Sequence, residues 1–243
     1  MADPHVALVT GGSSGIGAAV CRALAAEEMT VVVCSSRSVQ RGEALAAELG
    51  GSYVQGDVAD DGDARRIVAT AVERHGRLDV VVNSAGTTAT VPHADLEAVT
   101  DELWTRILGV NLLGPWHVIR AAVPHLRATG DGVVVNVSSR AGSRPVGSSI
   151  PYAVSKAGLN HLTALLANAL GPEIRVNAVA PGLVETPWAG TAGLDDLRRQ
   201  VEARAPLRRV GQADEIAEAV LGLVRSRYTT GVVLMADGGM FLR

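Results

Sequence analysis

Val6-Ala7-Leu8-Val9-Thr10-Gly11-Gly12-Ser13-Ser14-Gly15-Ile16-Gly17 passes from a β-branched run through a glycine-rich turn into an Ala-rich segment. Glycines permit the tight turn and let backbone N–H groups approach a pyrophosphate at a helix N-terminus. The spacing is G-x-x-x-G-x-G rather than the commoner G-x-G-x-x-G. Its place after a first strand and before a first helix makes it a dinucleotide-binding turn. Gly11, Ser13, Ser14, Gly15, Ile16 and Gly17 are the candidate cofactor contacts. The same residues spell G-x-S-x-G at 11–15, the nucleophile elbow of serine hydrolases. That reading fails on order. The elbow would sit on the first strand, and the last histidine, His161, falls within a predicted helix rather than on a late loop, which leaves no reachable base.

Outward from this turn, short Val-rich runs recur at 6–10, 31–35, 52–56, 79–83, 132–137, 174–179 and 231–235. Each is nearly continuous in hydrophobicity, as strands buried on both faces are. Between them lie segments that predict helices over 15–28, 38–49, 61–76, 100–127, 152–170 and 213–225, with Pro124 bending or ending the long fourth one. Strand alternating with helix implies an α/β Rossmann-type fold, a doubly wound seven-stranded parallel sheet in a single domain over 1–243. The least regular stretch, 183–212, holds a small helix candidate at 194–204. It follows a late strand, where ligands bind in such sheets, so it is expected to be a substrate lid.

Composition agrees with this architecture. Hydrophobic residues make up 47% but aromatics only 3%, so Val, Ala and Leu must build the core. The formal net charge is −3. With no run of five like charges, no basic stripe is available for nucleic acid. Basic pairs such as Arg65-Arg66 and Arg198-Arg199 read as solvated faces. Cys21 and Cys34, the only cysteines, read as buried apolar residues in a reducing compartment. The six histidines are scattered without metal-ligand spacing, so no metal is expected. No targeting run or membrane-length apolar stretch is visible, and a soluble cytoplasmic protein is the expectation.

The end of the second strand speaks to the cofactor. NAD-binding turns place Asp or Glu about 20 residues past the glycines to hold the ribose 2′-hydroxyl. Here the region reads Val33-Cys34-Ser35-Ser36-Arg37-Ser38, with no carboxylate. A hydroxyl from Ser36 and a guanidinium from Arg37 suit a 2′-phosphate, although Arg37 can equally just end a strand at the surface. The missing acid favours NADP(H) over NAD(H) in either case.

Eight motifs in order then give the chain a family look: TGGSSGIG at 10–17, Asp57-Val58, Asn83-Ser84-Ala85-Gly86, Asn111 in VNLLG, Ser138-Ser139, Tyr152-Ala153-Val154-Ser155-Lys156, Asn177-Ala178-Val179-Ala180-Pro181-Gly182 leading to Thr186, and Asp237-Gly238-Gly239. The chain resembles the short-chain dehydrogenase/reductase family over essentially its whole length, nearest to ketoreductases of the 3-oxoacyl-carrier-protein reductase type. The resemblance implies that Asp57 and Val58 hold the adenine. It implies that Asn83, Ala85 and Gly86 line the ribose and pyrophosphate cleft, and that Pro181, Gly182, Val184 and Thr186 meet the nicotinamide end. Two departures stand out. Ser84 replaces a usual second Asn, and Glu28-Met29 stands where many members have Gly-Ala.

The same resemblance makes Tyr152 the proton donor, Lys156 its partner and a holder of the nicotinamide ribose, Ser139 the residue that steadies the substrate oxygen, and Asn111 the anchor of a proton-relaying water. The residues fit this chemistry. Tyr152 and Lys156, at i and i+4, lie on one helical face. A nearby ammonium and an oxidised nicotinamide both favour tyrosinate and lower its pKa from about 10. A bare Y-x-x-x-K is commonly only packing; the serine thirteen residues upstream and the glycine turn give it weight.

The expected reaction is reduction of a ketone or aldehyde, a 3-oxoacyl thioester or polyketide-like carbonyl being one class. Alcohol oxidation is the alternative, and a non-catalytic cofactor-sensing scaffold is disfavoured because Tyr152 and Lys156 are both kept. Arg140 and Arg144 either greet an anionic or carrier-bound substrate or face solvent. Trp188 either faces substrate or packs the lid. Loops 87–95 and 140–151 are expected to shape the substrate site with the lid. Relatives pair through the helices equivalent to 100–127 and 152–170, so a homotetramer or homodimer is implied.

Overall fold

The computed structural model describes residues 4–186 and 194–242. In chain order the elements are β1 Val6–Thr10, α1 Gly15–Ala26, β2 Thr30–Ser35, α2 Val39–Glu48, β3 Ser52–Gln55, α3 Asp61–His75, β4 Val80–Asn83 and α4 Asp101–Leu108. Then come α5 Gly114–Thr129, β5 Gly132–Val137, α6 Ile150–Leu170, β6 Ile174–Pro181, β7 Val184–Glu185, α7 Leu194–Arg204, β8 Gly211–Gln212, α8 Ala213–Arg225 and β9 Val233–Ala236. Seven strands form one sheet in the order β3-β2-β1-β4-β5-β6-β9, every pairing parallel. The doubly wound seven-stranded sheet expected from the Val-rich runs is therefore present. The order turns around between β1 and β4, the switch point at which such sheets bind ligands.

Strand alternation splits the core in two. Val6, Leu8, Val32 and Cys34 face α3, α5 and α6, while Ala7, Val9, Val31 and Val33 face α1, α2 and α8. Cys34 and Cys21 belong to opposite layers, both buried, and burial pushes both thiols up to about 12. Two thiols on opposite sides of a sheet cannot pair with each other. Among the described residues, no helix is long and apolar enough to cross a membrane and no cluster could hold a metal.

Several boundaries differ from the expectation. The predicted helix 100–127 is two helices, α4 and α5, separated by a π-helical turn at Gly109–Leu113. Pro124 does not end α5, which runs on to Gly130 in the left-handed conformation. Burial of Val118, Ile119, Ala122 and Leu126 along one face outweighs the single backbone hydrogen bond that Pro124 cannot make. The sixth helix starts at Ile150, not 152, because Ser149 caps it and Pro151 fits its first turn. The last strand begins at Val233 rather than 231. A two-residue parallel bridge, Val184↔Gly211 and Glu185↔Gln212, joins the two ends of the irregular stretch and was not expected.

Glu28, at the unusual Glu28-Met29 step, adopts φ 60 just past the end of α1. This is the left-handed position where glycine is favoured and other residues cost about 1 kcal/mol. Glu28→Gly is expected to stabilise the protein by about 0.5–1 kcal/mol, raising the melting temperature by roughly 1–4 °C. A calorimetric melt with no rise, or a fall, would contradict this account of the turn.

Candidate active site

The site gathers where the strands of the switch point end. Gly11 has φ +65, and a Cβ there would lie 2.7 Å from the backbone of Ala85, the loop after β4. Gly17 lies so close to the turn that its Cβ would meet the Gly11 carbonyl oxygen at 2.2 Å. Thr10 ties the two loops: its Oγ1 accepts from the Ala85 N–H at 3.3 Å, and its carbonyl accepts from Ser84 at 3.2 Å. Opposite the turn, Thr186 stands 3.4 Å from where a Gly15 Cβ would be, so the segment after β6 faces the glycine loop. Ser14 caps α1 by position only. Its side chain makes no capping bond, which leaves the first-turn N–H groups of α1 without a side-chain acceptor.

These features fit a dinucleotide. An uncapped helix start beside two positive-φ glycines is a cradle for a pyrophosphate. At the end of β2, Ser36 and Arg37 are exposed, while Ser35 is buried with its hydroxyl 3.0 Å from the Tyr53 hydroxyl. Asp57 is exposed beyond β3, and its Oδ1 accepts from the Ala59 N–H; Val58 is buried beneath it. The Asn83 side chain turns into the protein. It is buried and donates to Asn136 at 2.9 Å, which donates to Thr163 at 3.0 Å, so it braces β4, β5 and α6. Gly86 and Ala85 follow it at the partly open strand end. Pro181 closes β6, and Gly182 is packed so tightly that a Cβ would lie 2.9 Å from Asp237. Val184 is buried in β7. Trp188 lies outside the described residues.

The candidate catalytic residues come from β5, α6 and the turn joining them. Ser139 follows β5, and its Oγ accepts from the Ala141 N–H at 3.2 Å. That acceptance leaves the hydroxyl proton to be donated, and the Tyr152 hydroxyl is within its reach. Ser138 is turned the other way, donating to Asn160 Oδ1. Tyr152 sits in the first turns of α6, where Ser149 Oγ accepts its N–H at 3.4 Å. Lys156 is one turn on; its Nζ is 5.9 Å from the Tyr152 ring centroid and donates to the Val137 carbonyl at 2.8 Å.

Burial governs both titrations. It pulls the Lys156 ammonium down to about 8, because the low-dielectric surroundings disfavour the charge. It pushes the Tyr152 hydroxyl up, and the Ser139 side chain opposes this by hydrogen bonding. The expected lowering of Tyr152 by the ammonium does not appear in this arrangement. The Lys156 charge is directed at a backbone carbonyl and is itself partly suppressed.

Asn111 lies in the π turn, fully buried. Its amide donates to the Thr87 carbonyl at 2.9 Å and to Ser155 Oγ at 3.0 Å, and its Oδ1 accepts from the Thr87 N–H at 2.7 Å. Both amide protons are thereby used to lock the loop after β4 onto α6. Residues that sequence reading missed complete the site. Thr88 and Ser148 share a short hydroxyl contact, and the Val91 N–H donates to the Ser148 carbonyl at 2.8 Å, so loops 87–95 and 140–151 are pinned together. Only Ser149 left a readable signal, a serine two residues before a proline at a helix start. Arg144 is not free to greet a substrate: it donates to the Phe241 carbonyl at 2.6 Å and stacks over that ring at 4.3 Å. His161 is on the exposed side of α6, in keeping with the rejection of the hydrolase reading.

With this geometry in place, the comparisons are decisive. A family described as enoyl-(acyl carrier protein) reductase, a short-chain dehydrogenase/reductase branch, matches residues 11–241. The chain is a short-chain dehydrogenase/reductase. This oxidoreductase is 58% identical to a Streptomyces violaceoruber protein named as ketoacyl reductase 2 of the granaticin polyketide synthase, across 99% of this chain and 97% of that protein. It is 37% identical to 3-oxoacyl-(acyl-carrier-protein) reductase FabG of Thermotoga maritima, across 99% of both. A crystal structure of an actinorhodin polyketide ketoreductase variant with NADPH superposes with a TM-score of 0.91 at 32% identity, covering 99% of this chain and 98% of that one.

The depressed Lys156 value has a stability consequence. Below about pH 8 the ammonium is charged in folded and unfolded chains alike, and its burial cost is fully present. Between there and the ordinary lysine value of 10.5 the folded protein releases a proton that the unfolded chain keeps, so stability rises with pH. Relative to Lys156→Met, the wild-type protein is expected to gain about 2–3 kcal/mol between about pH 7.5 and about pH 10.5. Urea unfolding of both proteins at the two pH values measures it. A constant difference would mean Lys156 is not desolvated.

Proposed function

We propose that this enzyme reduces a ketone or aldehyde to an alcohol with NADPH, its substrate being a polyketide-like or 3-oxoacyl thioester carbonyl. The observation that carries the reading is the convergence of Ser139, Tyr152 and Lys156 at the end of β5, on the same strand-end side of the parallel sheet as the glycine loop. The relatives named as ketoreductases support the substrate class. NADPH, when bound, supplies the hydride that the carbonyl carbon accepts.

The chain's own residues do the rest. Gly11, Ser13, Ser14, Gly15, Ile16 and Gly17 hold the pyrophosphate. Asp57, Val58, Ala85 and Gly86 bound the adenosine half, and Ser36 and Arg37 take the 2′-phosphate. Pro181, Gly182, Val184 and Thr186 orient the nicotinamide half. Ser139 donates its hydroxyl proton in a hydrogen bond to the substrate oxygen, and Tyr152 delivers its own proton there. Lys156, with a value near neutrality, steadies the tyrosine and the ribose hydroxyls. With the Asn111 side chain committed to Thr87 and Ser155, the water that returns protons to Lys156 would be held at the Asn111 main chain. The stretch 183–212, of which 187–193 lie outside the described residues, acts as the lid of this single domain. Alcohol oxidation by the same groups is the reverse reaction, its extent set by cofactor ratios.

The enzyme is also proposed to work in the cytoplasm as a homotetramer. Leu113, Trp116, Val154 and Leu165 leave apolar surface on α6 and around the start of α5, which supports pairing there. Light scattering at micromolar concentration is expected to give the tetramer mass; a monomer would overturn this part.

Tyr152→Phe is expected to lower turnover of a β-keto ester by roughly 10²–10⁴-fold while leaving NADPH binding within a few-fold. Wild-type kcat/KM is expected to be at least about tenfold higher with NADPH than with NADH, and Arg37→Ala should erase most of that ratio. Wild-type turnover in the Phe variant would refute the mechanism; equal use of both cofactors would refute the 2′-phosphate assignment.

A further inference from the structure

The C-terminal segment after β9 has no part in the mechanism above, yet it touches both sides of the site. Asp237-Gly238-Gly239 forms a tight reversal: Asp237 Oδ1 accepts from the Gly239 N–H at 3.0 Å, and the two glycines take φ +65 and +83. Only glycine fits at 239, where a Cβ would lie 2.7 Å from Pro206. The reversal leads into a single 3-10 turn, Met240–Leu242. Two consecutive residues of this turn point to different neighbours. Met240 is buried with Val201 and Ala205 at the end of α7 and with Val210 before β8. Phe241 meets the Arg144 guanidinium, which stacks on its ring at 4.3 Å and donates to its carbonyl at 2.6 Å. The Leu207 N–H donates to the Gly238 carbonyl at 3.1 Å, a second tie to the segment that returns from α7.

Arg144 belongs to the short turn that begins at Ser139. On its inner side this turn is fastened to α6. Ser138 and Ser143 are both hydrogen-bonded to Asn160, and Gly142 is pressed against the Lys156 backbone, where a Cβ would lie 2.6 Å away. On its outer side the described fastening to the C-terminal segment is the Arg144–Phe241 pair.

We propose that the C-terminal turn Met240–Leu242 is a brace between the α7 segment and the Ser139 turn, and that the Arg144–Phe241 contact is a positioning pair that sets which carbonyl substrates the enzyme accepts. The inference rests on the assignment of Ser139 and Tyr152 to the reacting centre. Releasing Arg144 frees residues 140–144 without touching Ser139 or Tyr152. Small substrates, oriented by those two hydroxyls alone, tolerate the change. Larger ones that lean on the turn do not.

The test uses Arg144→Ala, Phe241→Ala, the double variant and Phe241→Tyr in the full-length enzyme. Hydrogen exchange of the amides at 141–144 is read first, since it needs no substrate. Both single variants should exchange roughly tenfold faster there, with the β5 amides unchanged. With NADPH, KM for a fused two-ring ketone should rise about three- to tenfold at nearly constant kcat, and both constants for a short β-keto ester should stay within about twofold. The double variant should be no worse than either single, and Phe241→Tyr should behave as wild type. Unaltered exchange, additive losses, or equal losses on both ketones would overturn the proposal. A loss confined to Arg144→Ala would overturn it too, because the guanidinium would then be meeting substrate itself. Faster exchange in an enzyme whose wild-type form reduces neither ketone would leave the brace standing and strike the functional reading instead.

Discussion

Burial of the central sheet on both faces confines the polar side chains of its strands to a few places. Along β1, β2, β4 and β5, residues alternate between two apolar layers, and a hydroxyl or amide in mid-strand has no water to turn to. Thr10, Asn83, Asn136 and Ser138 accordingly stand at or next to the carboxyl ends of their strands and bond to one another, to α6 or to neighbouring loops. The same ends are where backbone turns must leave the sheet. Chemistry gathers there because the fold can satisfy polar groups nowhere else along these strands.

Helix α6 turns that confinement into a site. Its apolar residues Leu159, Leu166 and Leu170 are buried, and its polar ones, Tyr152, Ser155, Lys156, Asn160 and Thr163, meet the strand ends and the loops beyond them. Burying Lys156 is costly, and the Val137 carbonyl offsets only part of that cost. A lysine whose ammonium is lowered to about 8 beside a tyrosine whose hydroxyl is pushed up by burial is a pair whose protonation responds to whatever charge enters between them.

The sheet, its helices and the glycine turn were legible because they rest on period and on local backbone demands. Val-rich runs mark strands covered on both faces, and Gly11 and Gly17 mark two points where a Cβ cannot fit. What escaped was of another kind. The π turn at Gly109–Leu113 interrupts a helical pattern without a glycine-proline signal at its centre. The β7–β8 bridge is two residues long on each side, below any periodicity. The contacts of Asn111 with Thr87, Thr88 with Ser148 and Arg144 with Phe241 join residues 24, 60 and 97 apart, and nothing in their spacing announces them. Asn83 shows the converse: a motif position places a residue near a cleft but does not say which way its amide turns.

The β7–β8 bridge also bears on how such an enzyme diversifies. Because Val184 and Glu185 pair directly with Gly211 and Gln212, the chain departs and returns at adjacent points, and the sheet sees the same two ends whatever lies between. Val201, Ala205 and Val210 pack on Met240 and the Leu207 N–H donates to the Gly238 carbonyl, so changes between the two ends that keep these contacts leave the seven-stranded sheet in place. The bridge fixes where the stretch leaves and rejoins the scaffold, so a change of length between its ends need not shift β6 or β9.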